Sequence, residues 1–364
     1  MTKKITVLIA TMGLLTGVLA GCGDNAETKN EVAKKAENEQ AETVGEAQEE
    51  NEFVGEGLNE AKVIRIGYQP TSADNVYSID ATHQWIEEEF KEDGIEVEWI
   101  PFNYGPPIIE ALAAGELDFS TGIGNIPLIN GYASGAPVQA ISLTAVDLKS
   151  YGIVVSGDLK DEVKTVADLK GKKLALKGGS ATEANVLRAL QQAGVEEQDV
   201  EIVNIAATND LYSAVLNHEV DAIGTVGPNV DAFTQRSDLF PLDISDSALN
   251  TSAGLNIVNT DFAEKNPEIV ARFVKQIKII QDYTEEHRDE VKSVIAENTD
   301  YSVEELVSVD RWTYKDKFDD EDKKAFEEAV EFLVNGGKLE KTIDVSNIFT
   351  NKYYEEAERL LEKE

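Results

Sequence analysis

From residue 62 onward the apolar residues switch again and again between a period of two and a period near 3.6, and this alternation constrains the fold more than any other property of the chain. Residues 63–68 read as a strand, 79–93 as a helix stopped at Gly94, and 95–100 as a strand. A helix over 108–114 is opened by Pro106 and closed by Gly115, the usual placing of these two residues at helix ends. A short strand (117–120), a helix begun near Pro127 (126–133) and another strand (138–143) follow. The rhythm then returns: strands at 173–176, 200–203 and 220–224 alternate with helices at 181–193, 210–216 and 229–235. A strand is expected at 255–258, and from Pro267 the chain turns helical and rich in Glu and Lys. Alternating elements with short connections build a parallel, or mostly parallel, α/β sheet.

The two runs echo each other at an offset of 103 residues. Ala111, Glu116, Asp118 and Gly124 match Ala214, Glu219, Asp221 and Gly227, and Leu117 matches Val220. Each block is a helix, a tight turn, a Glu-aliphatic-Asp strand and a glycine loop into a helix. Two α/β lobes follow from this, with helix-opening loops at the ends of their strands. Ligands of open α/β sheets bind at such loops, outside the carboxyl ends of the strands.

Charge removes several alternatives. The 364 residues carry 33 Lys+Arg against 69 Asp+Glu, a formal charge of −36, the opposite of what a phosphate-neutralising nucleic-acid binder needs. A hydrophobic content of 42% is enough for packed cores. The one strongly apolar run, residues 5–19, follows Lys3 and Lys4 and ends at Leu19-Ala20-Gly21-Cys22, which holds the single cysteine. It is short for a membrane span, and its layout resembles a bacterial lipoprotein signal cleaved before Cys22, with that thiol lipidated. Residues 23–61 carry twelve acidic residues and three lysines, a composition that stays solvated and extended. The expected organisation is therefore a signal peptide (1–21), lipidated Cys22 with an acidic tether (22–61), lobe 1 (62–150), lobe 2 (151–250), and a return to lobe 1 with C-terminal helices (251–364).

Four helix-opening loops are candidates for ligand contact: 102–107, 121–127, 177–183 and 225–228. Each places glycine, and mostly a hydroxyl or amide residue, where unpaired backbone N–H groups and the helix dipole favour an anion. Ser180-Ala181-Thr182-Glu183 also satisfies a capping box, which gives Ser180 a purely structural alternative. Gly122-x-Gly124-x-x-Pro127 lacks the third glycine of a dinucleotide fingerprint. His83, His218 and His287 have no metal-ligand spacing, and no Walker loop, nucleophile elbow or second cysteine is present. Asp316, Asp319, Asp320 and Asp322 have some likeness to a calcium loop, but the glycine is missing and helix-capping acids are the better reading. No metal and no cofactor are expected; acidic pairs are abundant enough to supply a carboxylate dyad, but none is marked as one.

Several segments together resemble the substrate-binding proteins of ABC importers for nitrate, taurine, aliphatic sulfonates and thiamine-pyrimidine precursors. In the first lobe they are Ile66-Gly67-Tyr68-Gln69, residues 97–102, Gly105-Pro106-Pro107 through Leu112, Gly115 to Asp118, and Gly124 to Pro127. In the second they are residues 168–173, Gly179-Ser180, Ala193-Gly194 and 219–222, with 332–336 and 353–357 near the end. The resemblance covers roughly residues 62–360. It implies a periplasmic-binding-protein-like (type II) fold, two α/β lobes joined by a hinge with a ligand cleft between them. It also implies hinge closure, docking on a permease served by an ATPase, and a task without covalent chemistry; with the lipoprotein signal, a lipid-anchored monomer on the extracytoplasmic face of the membrane of a Gram-positive cell is expected.

Carried onto this chain, the family's binding loops point to Gln69, Gly105, Thr121, Gly124, Asn125, Ser180, Thr182 and Thr225, with Asn75 and Asn209 beside them. Lys177 adds a possible charge. Where many members place an aromatic-Asp-Pro, this chain has Val226-Gly227-Pro228, and Asn217-His218-Glu219 replaces a glycine turn, with Asn217 suited to the left-handed conformation. The expected ligand is a small anion or zwitterion of sulfonate, taurine or nitrate type. A neutral heterocycle such as a pyrimidine precursor is the alternative, with Tyr68, Tyr77, Tyr104 and Tyr151 near the loops for stacking. An enzyme of pyrimidine synthesis or a surface sensor on the same fold are the readings of other classes.

Overall fold

Strands from two stretches of chain sort into two five-stranded sheets with one shared topology. The computed structural model describes residues 59–363 except 148, 150, 235 and 245–252. The signal segment, Cys22 and the tether to residue 58 lie outside the described residues. The first sheet contains β1 (Val63–Tyr68), β2 (Glu96–Pro101), β3 (Phe119–Ile123), β4 (Val138–Val146) and β10 (Ala253–Asn259), in the order β2-β1-β3-β10-β4. The second contains β5 (Tyr151–Ser156), β6 (Lys173–Leu176), β7 (Glu201–Asn204), β8 (Ala222–Val226) and β9 (Leu239–Asp243), in the order β7-β6-β8-β5-β9.

One strand in each sheet runs against its neighbours. β10 is antiparallel to β3 and β4, and β5 is antiparallel to β8 and β9. Each reversed strand is the first in sequence after the chain passes from one sheet to the other, so each crossing delivers its strand head-on into a parallel set. The sheets are thus mixed rather than wholly parallel. The β5 and β9 strands carry no alternation legible in the sequence, because β5 is buried on both faces.

The helices α1 (Val76–Asp80), α2 (Trp85–Lys91), α3 (Gly105–Ala113), α4 (Asn125–Ala133), α5 (Ala181–Gln192), α6 (Thr208–Leu216) and α7 (Pro228–Thr234) connect the strands. Five more, α8 (Thr260–Lys265), α9 (Pro267–Glu286), α10 (Arg288–Asn298), α11 (Asp320–Asn335) and α12 (Lys352–Leu361), make up most of the C-terminal part. An apolar cluster including Ile108, Leu128, Val186, Leu190 and Leu333 runs from one sheet to the other, and α4 packs on both α5 and α11. Separate clusters back the outer faces, one around Ile64, Phe119 and Phe273 and one around Val154, Leu211 and Ile223. These observations establish two α/β lobes of one shared topology, as a periplasmic-binding-protein-like fold requires.

Two local expectations are corrected. The helix read over 79–93 is two helices. Asp80 ends α1 and its carboxylate turns to cap the next helix, accepting from Trp85 N at 2.8 Å and Ile86 N at 3.3 Å, while Gln84 takes a left-handed φ of 56°. The left-handed residue in the second-lobe turn is His218 (φ 58°), not Asn217 (φ −89°). His218 stands where Gly115 (φ 71°) stands in the first lobe, and its Nδ1 lies 2.8 Å from Ser156 Oγ, a contact that helps hold an unfavourable backbone.

Candidate ligand-binding site

A cavity of about 110 Å³ lies between the lobes. Gln69, Thr71, Ser72, Asp74, Tyr104, Gly105, Gly122, Gly124, Ala145, Gly254 and Trp312 line it from the first lobe and its C-terminal segments. Tyr151, Lys177, Ser180, Ala181, Thr182, Val226 and Gly227 line it from the second, with Asp147 at the crossing.

Two helix N-termini from different lobes meet at this cavity. Gly124 is the N-cap of α4 and Ser180 the N-cap of α5. A Cβ on Gly124 would sit 2.5 Å from Ala181 Cβ, so the backbones approach as closely as they do only because residue 124 has no side chain. First-turn N–H groups of a helix have no carbonyl partner within it, so two sets of donors and two positive dipole ends converge here. The start of α3 contributes fewer donors, since Pro106 and Pro107 carry no N–H.

The Ser180 hydroxyl is engaged locally. It donates to Lys177 O at 2.7 Å and accepts from Glu183 N at 3.2 Å. Glu183 turns back to accept from Gly179 N at 2.8 Å, which closes a variant of the capping box.

Lys177 is the cation of the cavity wall. Its Nζ donates to Thr208 Oγ1 at 2.6 Å and to Asn103 O at 3.2 Å, and both acceptors are neutral. Burial without a carboxylate partner pulls its pKa down to about 8. Thr208 Oγ1 in turn donates to Thr71 Oγ1 at 3.2 Å, a bond between lobes.

Two carboxylates share the wall. Asp147 is 6% exposed and pairs with Arg311, Nη2 to Oδ2 at 2.8 Å, and the same guanidinium reaches Asp231 Oδ2 at 2.7 Å. Asp74 accepts from Ser72 Oγ at 2.5 Å and Thr144 Oγ1 at 3.1 Å, and burial raises its pKa above the usual carboxylate range.

Of the residues singled out in the sequence, the structure brings Gln69, Gly105, Gly124, Ser180 and Thr182 together around the cavity. Gln69 Nε2 donates to Gly122 O at 3.2 Å and braces the 122–124 turn. Asn75 is fully buried as the N-cap of α1, accepting from Ser78 N and donating to Gln69 O at 3.0 Å, behind the wall. Thr121 and Asn125 are buried in β3 and at the first turn of α4, and Thr225 is buried against Tyr212 OH at 3.3 Å; none of the three lines the cavity. Asn209 lines a separate groove of about 620 Å³ formed by α6, α7 and residues 297–305. Tyr104 and Tyr151 line the cavity, whereas Tyr68 and Tyr77 stack on each other at 4.2 Å beside Trp99. Asp74, Asp147 and Trp312 escaped the sequence reading, because nothing local to them marks a binding loop. Among the described residues no cluster of His, Cys, Asp and Glu is arranged to hold a metal. Asp319 caps α11, accepting from Glu321 N at 2.9 Å and Asp322 N at 3.1 Å, as expected of helix-capping acids.

Comparison with known proteins agrees with this architecture. The NMT1/THI5-like family model matches residues 89–291. A putative aliphatic sulfonates-binding protein of Bacillus subtilis is 30% identical over 359 residues, 98% of this chain and 97% of the relative. The taurine-binding periplasmic protein of Escherichia coli is 29% identical over 58% of this chain and 63% of its own length. Among solved structures, the alkanesulfonate-binding protein of Xanthomonas axonopodis bound to MOPS superposes with a TM-score of 0.71 at 22% identity, covering 80% of this chain and 99% of that one, a likeness of fold. Matched over more than half its length by the family model, and over nearly all of it by the Bacillus protein, the chain belongs to the NMT1/THI5-like family.

Proposed function

We propose that this chain is the solute-binding component of an ABC importer, and that it captures a small sulfonate-type anion in the cavity between its lobes. One observation carries the reading: the N-termini of α4 and α5 converge from opposite lobes on a cavity walled by Lys177, whose ammonium has only neutral partners. An oxyanion bridging both termini has its own reason to favour the closed arrangement, because it gains donors from each lobe only when they meet. The similarity to aliphatic sulfonate- and taurine-binding proteins supports the same ligand class. In this reading Gln69, Gly105, Gly124, Ser180 and Thr182 form the contact surface. Asn75, Thr121, Asn125 and Thr225 shape it from behind. The chain performs no covalent chemistry. Lipidated Cys22 and the acidic tether hold a monomer on the outer face of the membrane, within reach of a permease and its ATPase.

The test is a thermal-shift and calorimetry panel of alkanesulfonates, aminosulfonates, nitrate and pyrimidines. A bound sulfonate at ~100 times its dissociation constant raises stability by about 2.7 kcal/mol. A panel in which only a pyrimidine shifts the melting temperature rejects the reading in favour of a neutral heterocycle, for which Tyr104 and Tyr151 in the wall are suited.

A further inference from the structure

The stretch from residue 301 to residue 313 is rooted in the first lobe and reaches across to the second. Val146 N donates to Thr313 O at 2.8 Å and Thr313 N to Val146 O at 3.1 Å, which fixes its end to β4. Before it, α10 packs on α1. Between these anchors, 3₁₀ turns over Val303–Arg311 pack on α7 of the second lobe. Two side chains, one near each end, span the lobes. Tyr301 OH donates to Thr71 O at 2.8 Å in the first lobe and accepts from Asn229 Nδ2 at 2.7 Å in α7. Arg311 makes two bonds to each of two carboxylates. Nε and Nη2 donate to Asp147 at 3.3 and 2.8 Å, and Nη1 and Nη2 donate to Asp231 of α7 at 3.2 and 2.7 Å.

The ties are asymmetric. The Asp147 side chain is 6% exposed, and that of Asp231 is 22% exposed. When the lobes part, Arg311 can give up Asp231 to water and keep Asp147, so no charge is left buried and alone. Tyr301 can likewise release Asn229 and keep Thr71 O. Both ties therefore break at their second-lobe ends and re-form on closing. They also frame the site: Asp147 and Trp312 line the cavity on one side, and Val226 and Gly227, just before α7, line it on the other.

We propose that Tyr301 and Arg311 form a clasp that holds part of the population with its lobes together before ligand arrives, so that side chains outside the cavity set its affinity. The inference rests on the cleft-closure reading above. A ligand that needs the closed arrangement binds with an apparent dissociation constant equal to its intrinsic value divided by the closed fraction. The clasp raises that fraction, and affinity rises by the same factor.

The experiment measures the distance between spin labels on Glu116→Cys and Glu219→Cys, exposed at equivalent turns of the two lobes, in the full chain carrying Cys22→Ala. Without ligand, a short and a long population should both be present. Asp231→Asn and Tyr301→Phe nearly preserve side-chain size, and each should move population from short to long. Asn229→Ala, which leaves Tyr301 its bond to Thr71, should act like Tyr301→Phe. The Asp231→Asn, Tyr301→Phe double variant should lower the short population roughly tenfold. Propanesulfonate is the ligand probe: its affinity should fall in each variant by the factor the short population falls, and saturation should restore the short distance. An unchanged distance distribution in the double variant overturns the clasp, and so does a ligand-free chain with no short population. A lower melting temperature with unchanged distances makes the two side chains structural ties only and overturns it as well. If neither propanesulfonate nor any other sulfonate binds, the sulfonate reading falls, while the ligand-free distances still confirm or overturn the clasp.

Discussion

Asp118 and Asp221 occupy the same point of two different sheets. Asp118 Oδ2 accepts from Arg65 N at 2.8 Å, and Asp221 Oδ2 accepts from Lys173 N at 2.7 Å. Each aspartate also donates its own N–H to the carbonyl of that same residue, at 2.9 Å in both lobes. They stand one residue before β3 and β8, where β3 joins β1 and β8 joins β6, and each carboxylate satisfies a strand donor that the ladder has not yet reached. The 103-residue echo in the sequence is this repeated strand start. Removing either carboxylate by substitution with Ala should cost about 1–3 kcal/mol, with Asp118→Ala the larger because Asp118 is the more buried. The two effects should add to within about 0.5 kcal/mol, since the residues share no partner. Urea denaturation of the single and double variants measures both.

Lys177 makes binding depend on pH. With its pKa at about 8 in the ligand-free protein, the ammonium is present below that value and lost above it. Affinity for a sulfonate should therefore be flat at neutral pH and fall as pH rises past about 8. Stability of the ligand-free protein moves the other way. The unfolded chain holds the proton up to the ordinary lysine value of 10.5, so between about 8 and 10.5 it binds more protons than the folded chain, and stability rises with pH. Lys177→Met should abolish both trends and weaken sulfonate binding by about 1.5–3 kcal/mol. Calorimetry across pH, paired with melting curves, reads the two effects separately.

Gly124 tests closure. Any larger residue meets Ala181 across the cavity, where a Cβ already stands at 2.5 Å. Gly124→Val should prop the lobes apart and reduce ligand affinity by at least tenfold, the equivalent of about 1.4 kcal/mol. Small-angle scattering should show compaction on ligand addition for the unmodified chain and none for Gly124→Val. A variant that binds and compacts normally would remove the lobe contact from the mechanism.

Ser180 should matter more to stability than to binding. Its hydroxyl proton goes to Lys177 O and its lone pair to Glu183 N, so the ligand is left with the backbone donors of α5. Ser180→Ala should lower the stability of the ligand-free protein by about 1 kcal/mol. Affinity should change by no more than about threefold, less than the loss of a hydrogen bond to a charged group. A larger loss of affinity would show that the hydroxyl turns to the ligand.

Cys22 is the remaining test and concerns anchoring. Cys22→Ala should leave an unprocessed precursor or release the protein into the medium, because the apolar run before it is short for a membrane span. Detergent phase partitioning with lipid labelling decides the matter. Retained labelling in the variant would reject lipidation at that thiol.

The architecture was legible because its determinants are local. Apolar periodicity, Pro106 and Gly115 at helix ends, and the Glu-aliphatic-Asp repeat are set by residues a few positions apart, and they placed most of the strands and helices. The place of Gly105, Gly124, Ser180 and Thr182 on the cavity wall was legible for the same reason, since a helix-opening loop announces its unpaired N–H groups in sequence. The break at Asp80 was not, because a side chain that turns back to cap the next helix leaves the apolar period intact. The reversed strands β5 and β10 take their direction from the crossings, and a crossing has no local signature.

The charges of the cavity lay furthest from the sequence. Asp74 and Lys177 are 103 residues apart and belong to different lobes, and nothing beside either one states whether it has a partner. A charged side chain is defined by what surrounds it, and that environment exists only once both sheets are folded and the lobes have met. The sequence alone determined two lobes and the loops that could receive an anion. Tertiary structure decided that Asp147 pairs with Arg311 while Asp74, among the described residues, meets hydroxyls and no cation, because pairing depends on distances that only packing across the two lobes creates.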